Sequence, residues 1–176
     1  MSGNPGGVLK ILGNAIEMEL EGKAFFEEVA NKSRNRRTKG TFMSLVKQEQ
    51  RHVDIIGEEL SRLEKGLDWA SLGEMKSSAP TYPKLSVFRD NEFRRLKFDP
   101  ESGELEALKL GMEVEKKSIE YYRSAGVQTP EPKAKEMFYW LVGEEAGHLT
   151  ILSAEYENRT KSGFYYDNME FSLEVM

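Results

Sequence analysis

Residues 42–56 read FMSLVKQEQRHVDII, and residues 138–152, ninety-six positions later, read FYWLVGEEAGHLTIL. Aligned without a gap, the two stretches share Phe42 with Phe138, Leu45 with Leu141, Val46 with Val142, Glu49 with Glu145, His52 with His148, and Ile55 with Ile151. In the first stretch Phe42, Leu45, Glu49, His52 and Ile56 recur at intervals of three and four. That is one face of an α-helix, and it carries a Glu-x-x-His in the middle of an apolar stripe. A Glu and a His three apart are separated by about 300° around the axis, so they project side by side one turn apart.

Working outward, the same shift of ninety-six superposes Glu19 on Glu115, each thirty residues before its Glu-x-x-His. The chain is therefore an internal repeat of two helical hairpins. Apolar periodicity predicts helices from about Val8 to Ser33 and from about Thr38 to Glu64. A basic turn, Arg34 to Lys39, joins them, and Lys65-Gly66 closes the second as a cation and a glycine should. The second pair runs from Gly103 or Glu104 to Gly126, and from Thr129-Pro130, read as N-cap and first-turn proline, to Ser162. Between the pairs lies a crossover, 66–102, broken by Pro80, Pro83 and Pro100, in which Val87 to Phe98 is the one further helical stretch. The tail, 163–176, is aromatic and acidic, and is expected to pack on the bundle or on a second subunit. Hairpin 8–65, crossover 66–102 and hairpin 103–162 make a single all-α domain: an antiparallel four-helix bundle with one long crossover between helices 2 and 3, the ferritin-like layout.

Composition narrows the chemistry. With no cysteine among 176 residues, disulfides, thiolate zinc sites and iron–sulfur or rubredoxin-type centres are excluded from this chain. A metal here must use oxygen and imidazole ligands. Only two histidines are present, and both lie in the repeated Glu-x-x-His. Neither has a histidine four residues away, which removes the His-Glu-x-x-His zinc hydrolases. The net charge of −5 comes from 30 acidic and 25 basic residues mixed along the chain, so no nucleic-acid surface is indicated. No segment offers the roughly 20 apolar residues of a membrane span, and no basic-then-apolar leader opens the chain; a cytoplasmic protein is expected.

Four carboxylates on the inner faces of one bundle would not stay buried without cations. A Glu from each of two helices and Glu-x-x-His from each of the other two is the di-metal carboxylate arrangement. Glu19, Glu49, His52, Glu115, Glu145 and His148 are thus the candidate metal ligands. The repeat resolves two neighbours. Glu144 aligns with Gln48, so Glu145 is chosen. Glu17 and Glu113 align with each other but lie about 200° around the helix from Glu19 and Glu115 and are expected to face solvent.

The segments Glu19-x-x-Gly22-x-x-Phe25-Phe26 and Glu115-x-x-Ser118-x-x-Tyr121-Tyr122, each followed by Glu-x-x-His, resemble the rubrerythrin family. The resemblance implies a non-haem di-iron centre, two iron ions per chain, that reduces hydrogen peroxide with electrons from a rubredoxin-like donor. It further implies that Glu19 and His52 hold one iron, Glu115 and His148 the other, and that Glu49 and Glu145 bridge. Three departures stand out: no cysteine-bearing rubredoxin domain, so the donor is expected to be a separate protein; Ser118 where an additional glutamate is found; and Phe26 in place of a tyrosine, leaving Tyr122 as the one such hydroxyl expected behind the ligands. Without the glutamate at Ser118, His52 has no rival, and two nearly equivalent iron positions are expected. A ferroxidase or iron-handling protein would use the same ligands, manganese would give a catalase-like protein, and zinc could substitute in the site. A helical interaction protein without metal is the reading from another class. A homodimer is expected.

Overall fold

The computed structural model describes residues 5–77 and 103–160. Five helices follow one another: α1 (Pro5–Lys32), α2 (Arg36–Glu64), the short α3 (Leu72–Ser77), α4 (Gly103–Gln128) and α5 (Pro132–Thr160). The four long ones form the bundle. Cross-contacts fix their directions: Glu19 faces His52 and Lys23 reaches Gln50 between α1 and α2, while Glu115 faces His148 and Met112 meets Ser153 between α4 and α5. In each pair one number rises as the other falls, so both hairpins are antiparallel. The α1–α4 and α2–α5 pairs are antiparallel too, with Tyr121 on Ile11 and Ser33 on Glu104, and with Thr38 on Glu155 and His52 beside Glu145.

The hairpin boundaries follow from local chemistry and shift some of the expected ends. Asn35 caps α2, its side-chain oxygen accepting from the Arg37 and Thr38 amides, so the helix starts at Arg36 and the turn is shorter than Arg34–Lys39. At the other end of α2, Gly66 takes φ +73°, and the Gly66 and Leu67 amides return to the Leu63 and Arg62 carbonyls. This pair of bonds satisfies helix-end carbonyls that would otherwise be orphaned. Helix α4 runs through Gly126 to Gln128, and α5 begins at Pro132 rather than Pro130. The residue before a proline is pushed out of the helical region, so Glu131 cannot continue a helix begun at Pro130. Pro132 takes the first-turn place, the Glu131 carboxylate accepts weakly from the Lys133 amide, and the Thr129 hydroxyl, expected as the cap, is buried without a partner.

The start of the crossover is helical too. Ser71 and Glu74 form a reciprocal cap for α3, each accepting from the other's amide. Met75 is buried in the core, and Trp69 and Ala70 join the same apolar cluster. That cluster covers Ile55. Its repeat partner Ile151 is 41 % exposed, because no described segment plays the part of α3 on the other hairpin. The stretch Val87 to Phe98 and the tail 163–176 lie outside the described residues.

Two apolar clusters make up the core. One gathers Leu12, Ile16, Val53, Ile56, Tyr122, Phe138 and Leu141, and the other Phe25, Phe26, Phe42, Leu45, Leu108 and Leu152. Each fully buried side chain of this kind contributes roughly 1.5–3 kcal/mol, so the two plugs stabilise the bundle above and below a polar layer between them.

Candidate metal centre

The polar layer consists of Glu19 on α1, Glu49 and His52 on α2, Glu115 on α4, and Glu145 and His148 on α5, none more than 3 % exposed. All six candidate residues from the sequence meet there. Their ligand atoms form two overlapping groups, Glu19–Glu49–His52–Glu145 and Glu49–Glu115–Glu145–His148, with the atoms of each group within 4.8 Å of one another. Shifting the first group by ninety-six positions yields the second, with Glu49 and Glu145 exchanging places. The geometry therefore repeats the internal symmetry of the sequence, and the two groups share just those two carboxylates.

Both imidazoles turn Nδ1 into the layer. His52 Nδ1 lies 3.1 Å from Glu145, 3.3 Å from Glu19 and 3.5 Å from Glu49. His148 Nδ1 lies 3.0 Å from Glu49, 3.1 Å from Glu145 and 3.5 Å from Glu115. The rings stack with centroids 5.4 Å apart. Proximity is not matched by bonding. One oxygen each of Glu49 and Glu115, both oxygens of Glu145 and both nitrogens of His148 are buried with no hydrogen-bond partner. Buried polar atoms are ordinarily paired, and all of these except His148 Nε2, on the other side of its ring, converge on common points instead. A set of carboxylate oxygens and imidazole nitrogens converging in this way suits a divalent cation such as iron, manganese or zinc.

Electrostatics describe the same demand. Burial, and then the Glu49 and Glu145 charges, push the Glu19 carboxyl well above its ordinary range. Burial also leads at Glu115, where the His148 imidazole 3.5 Å away opposes it and the charges of Glu145 and Glu49 add to it. Burial opposes the charged form of the histidines, yet the carboxylates outweigh it: His52 is raised well above its usual value, chiefly by Glu19, and His148 is pushed up to about 12, chiefly by Glu115. Glu145, despite its burial, is held low by the His148 and His52 imidazoles, each 3.1 Å away. Without a cation, protons on the outer glutamates and the imidazoles must balance the charge. Divalent cations would do so while displacing those protons.

The surroundings are less symmetric than the ligands. Tyr122, fully buried, donates its hydroxyl hydrogen bond to Glu19. The position equivalent to Tyr122 is Phe26, which packs against Phe42 and has no hydroxyl to offer Glu115. The two groups of ligand atoms are alike, and the difference between them begins one step further out. Ser118 is buried and brings no additional carboxylate, and Glu120 is exposed as its helical angle requires. Glu113 is exposed and paired with Lys116, whereas Glu17 is only partly exposed, with one oxygen out of reach of solvent.

Sequence reasoning missed Trp140. Its ring stands edge-on to His52, with centroids 5.9 Å apart, and the Lys76 ammonium lies 4.7 Å from the indole centroid. The residue equivalent to Trp140 is Ser44, so the repeat carried no signal for it, and the contact with Lys76 depends on α3.

An antiparallel bundle of four long helices with a buried layer of four glutamates and two histidines defines a ferritin-like helical protein with a site fit for metal. The family model for rubrerythrin matches residues 10–156, which spans both hairpins and all six residues of the layer. The chain belongs to the rubrerythrin family. No curated protein and no solved structure gives a significant match.

Proposed function

We propose that this chain binds two iron ions in the polar layer and reduces hydrogen peroxide with electrons from a separate protein. The observation that carries the reading is the pair of overlapping ligand groups sharing Glu49 and Glu145. Two cation positions with two common carboxylates suit a two-electron reaction at a single small oxidant. In this reading Glu19 and His52 hold one ion, Glu115 and His148 the other, and Glu49 and Glu145 bridge. Paired ferrous ions would supply one electron each, enough to convert hydrogen peroxide and two protons to two waters. Glu49 and Glu145 set the spacing. Tyr122 orients Glu19 and keeps a proton within the layer, and the flanking apolar clusters exclude bulk water.

The electron donor is external, because the chain contains no cysteine from which to build a thiolate relay. A rubredoxin-like carrier fits that need. The protein acts as a cytoplasmic homodimer, a reading supported by two large apolar side chains that α5 leaves open, Tyr139 at 49 % and Ile151 at 41 % exposure. Among the described residues no helix is long and apolar enough to cross a membrane.

Stopped-flow oxidation of the reduced, iron-loaded protein tests the reading. Peroxide is expected to oxidise both ferrous ions in one fast step, after which the reaction stops until a donor is added. Faster oxidation by dioxygen than by peroxide would instead identify a ferroxidase using the same residues.

A further inference from the structure

The polar layer is sealed, with every one of its six residues at 3 % exposure or less. An external electron therefore has to reach it through packed protein. Among the described residues, one aromatic side chain touches a histidine of the layer from outside it. Trp140 on α5 meets His52 edge-on at 5.9 Å and is itself only partly buried. On its other side is the exposed Lys76 of α3, its ammonium 4.7 Å from the ring centroid. The contact is held in place: Arg51 donates to the Lys76 carbonyl, Lys133 donates to the Trp69 carbonyl, and Met75 anchors α3 in the core.

The geometry points to Trp140 as the residue through which electrons enter the centre, passing from a one-electron carrier at the surface through the indole and the His52 ring. This rests on the redox reading above and adds the route. Each transfer takes one electron from a reduced carrier, leaves that carrier oxidised, and turns one ferric ion ferrous; two transfers restore the pair. Lys76 has a defined part in this. A cation against the indole face is attracted to the neutral ring and disfavours its oxidised, positively charged form. The electron consequently crosses Trp140 without leaving an oxidised indole behind. Among the described residues His148 has no such neighbour, Ser44 standing where the repeat would place a second tryptophan, so the route described here runs on the His52 side. Trp69, the other tryptophan, makes no ring contact with either histidine among the described residues.

The test compares Trp140→Leu, Trp140→Phe and Trp69→Leu in full-length, iron-loaded ferric protein. Reduction by the methyl viologen radical, a small one-electron carrier that needs no specific docking, is followed through loss of the ferric absorbance. Trp140→Leu is expected to slow reduction by roughly an order of magnitude, because leucine leaves a gap where the packed ring was. Trp140→Phe should restore much of the rate, and Trp69→Leu should match the parent. Iron content and the rate of peroxide oxidation of the ferrous form should stay unchanged in all three. A second readout keeps the tryptophan in place: in Trp69→Phe, the emission of Trp140 should be quenched by ferric loading far more than that of Trp69 in Trp140→Phe. Equal reduction rates in Trp140→Leu and the parent, or equal quenching of the two tryptophans, would overturn the route while leaving the redox reading intact. Loss of peroxide oxidation in the parent would overturn the redox reading itself.

Discussion

Replacing Tyr122 by Phe removes one hydroxyl from a fully buried ring and leaves its packing against Tyr121 and Phe138 in place. What disappears is the hydrogen bond to Glu19, itself 2 % exposed. In the metal-free protein, burial and the Glu49 and Glu145 charges raise the Glu19 carboxyl and favour its neutral form, and a bond between two neutral groups is worth about 0.5–1.5 kcal/mol. With a cation bound, Glu19 is a carboxylate, and the same bond is worth about 1.5–3 kcal/mol. The excess falls on metal affinity. The difference, about 1–1.5 kcal/mol, is a loss of affinity of roughly tenfold at about 1.4 kcal/mol per tenfold, the lower end of the about 10–100-fold cost of losing an outer hydrogen bond to a ligand. Competitive titration of the metal-free protein with ferrous ion should show a weakened step at the Glu19–His52 position, with the Glu115–His148 position affected less. Thermal stability of the metal-free variant should fall by the smaller amount, about 1–6 °C in melting temperature. An unaltered titration, or equal weakening of both steps, would refute the assignment of Tyr122 to one position only.

Glu49→Ala and Glu145→Ala should each abolish binding of both ions, because each side chain belongs to both ligand groups, while Glu113→Ala, on an exposed residue, should leave iron content as it was; elemental analysis of the purified variants checks both outcomes. Glu59 is buried and accepts a hydrogen bond from the Ala70 amide, with its carboxyl raised above the usual range chiefly by burial, against the lowering effects of that amide and of Arg62. Because its folded pKa lies above the unfolded value of about 4.3, wild type gains stability as pH falls through the folded pKa. Glu59→Gln keeps an oxygen for Ala70 without the charge, so it should be neutral to about 1 kcal/mol stabilising near pH 7. That difference should close on acidification, and urea unfolding at a series of pH values in which it widened instead would contradict the burial argument.

Much of this architecture could be read from the chain. The three-and-four spacing around Glu49 and His52 and the repeat of ninety-six positions located both hairpins, because a long helix in a bundle must present one face to the core and the repeat imposed that face twice. The same repeat selected Glu145 over Glu144, and the structure buries the one and leaves the other partly exposed. Helix ends were less legible where signals competed. Thr129-Pro130 looked like a cap and first turn, but the second proline at 132 moved the start, since residue 131 cannot be helical in front of it. Helix α3 is only six residues long, too short for periodicity to reveal, although Ser71 and Glu74 carried a capping signal. The asymmetry around the layer depends on contacts between distant elements. Tyr122 reaches across to Glu19 on another helix, and Trp140 gains its second partner only because α3 folds back over α5. Neither is encoded in the spacing of residues along one helix.

Anomalous diffraction at the iron absorption edge, from crystals of protein purified without chelator, would locate the metal ions and their ligands. Two iron peaks per chain are expected, both between Glu49 and Glu145, one next to Glu19 and His52 and the other next to Glu115 and His148. A single peak, or none, or metal bound elsewhere with these six side chains free, would contradict the account.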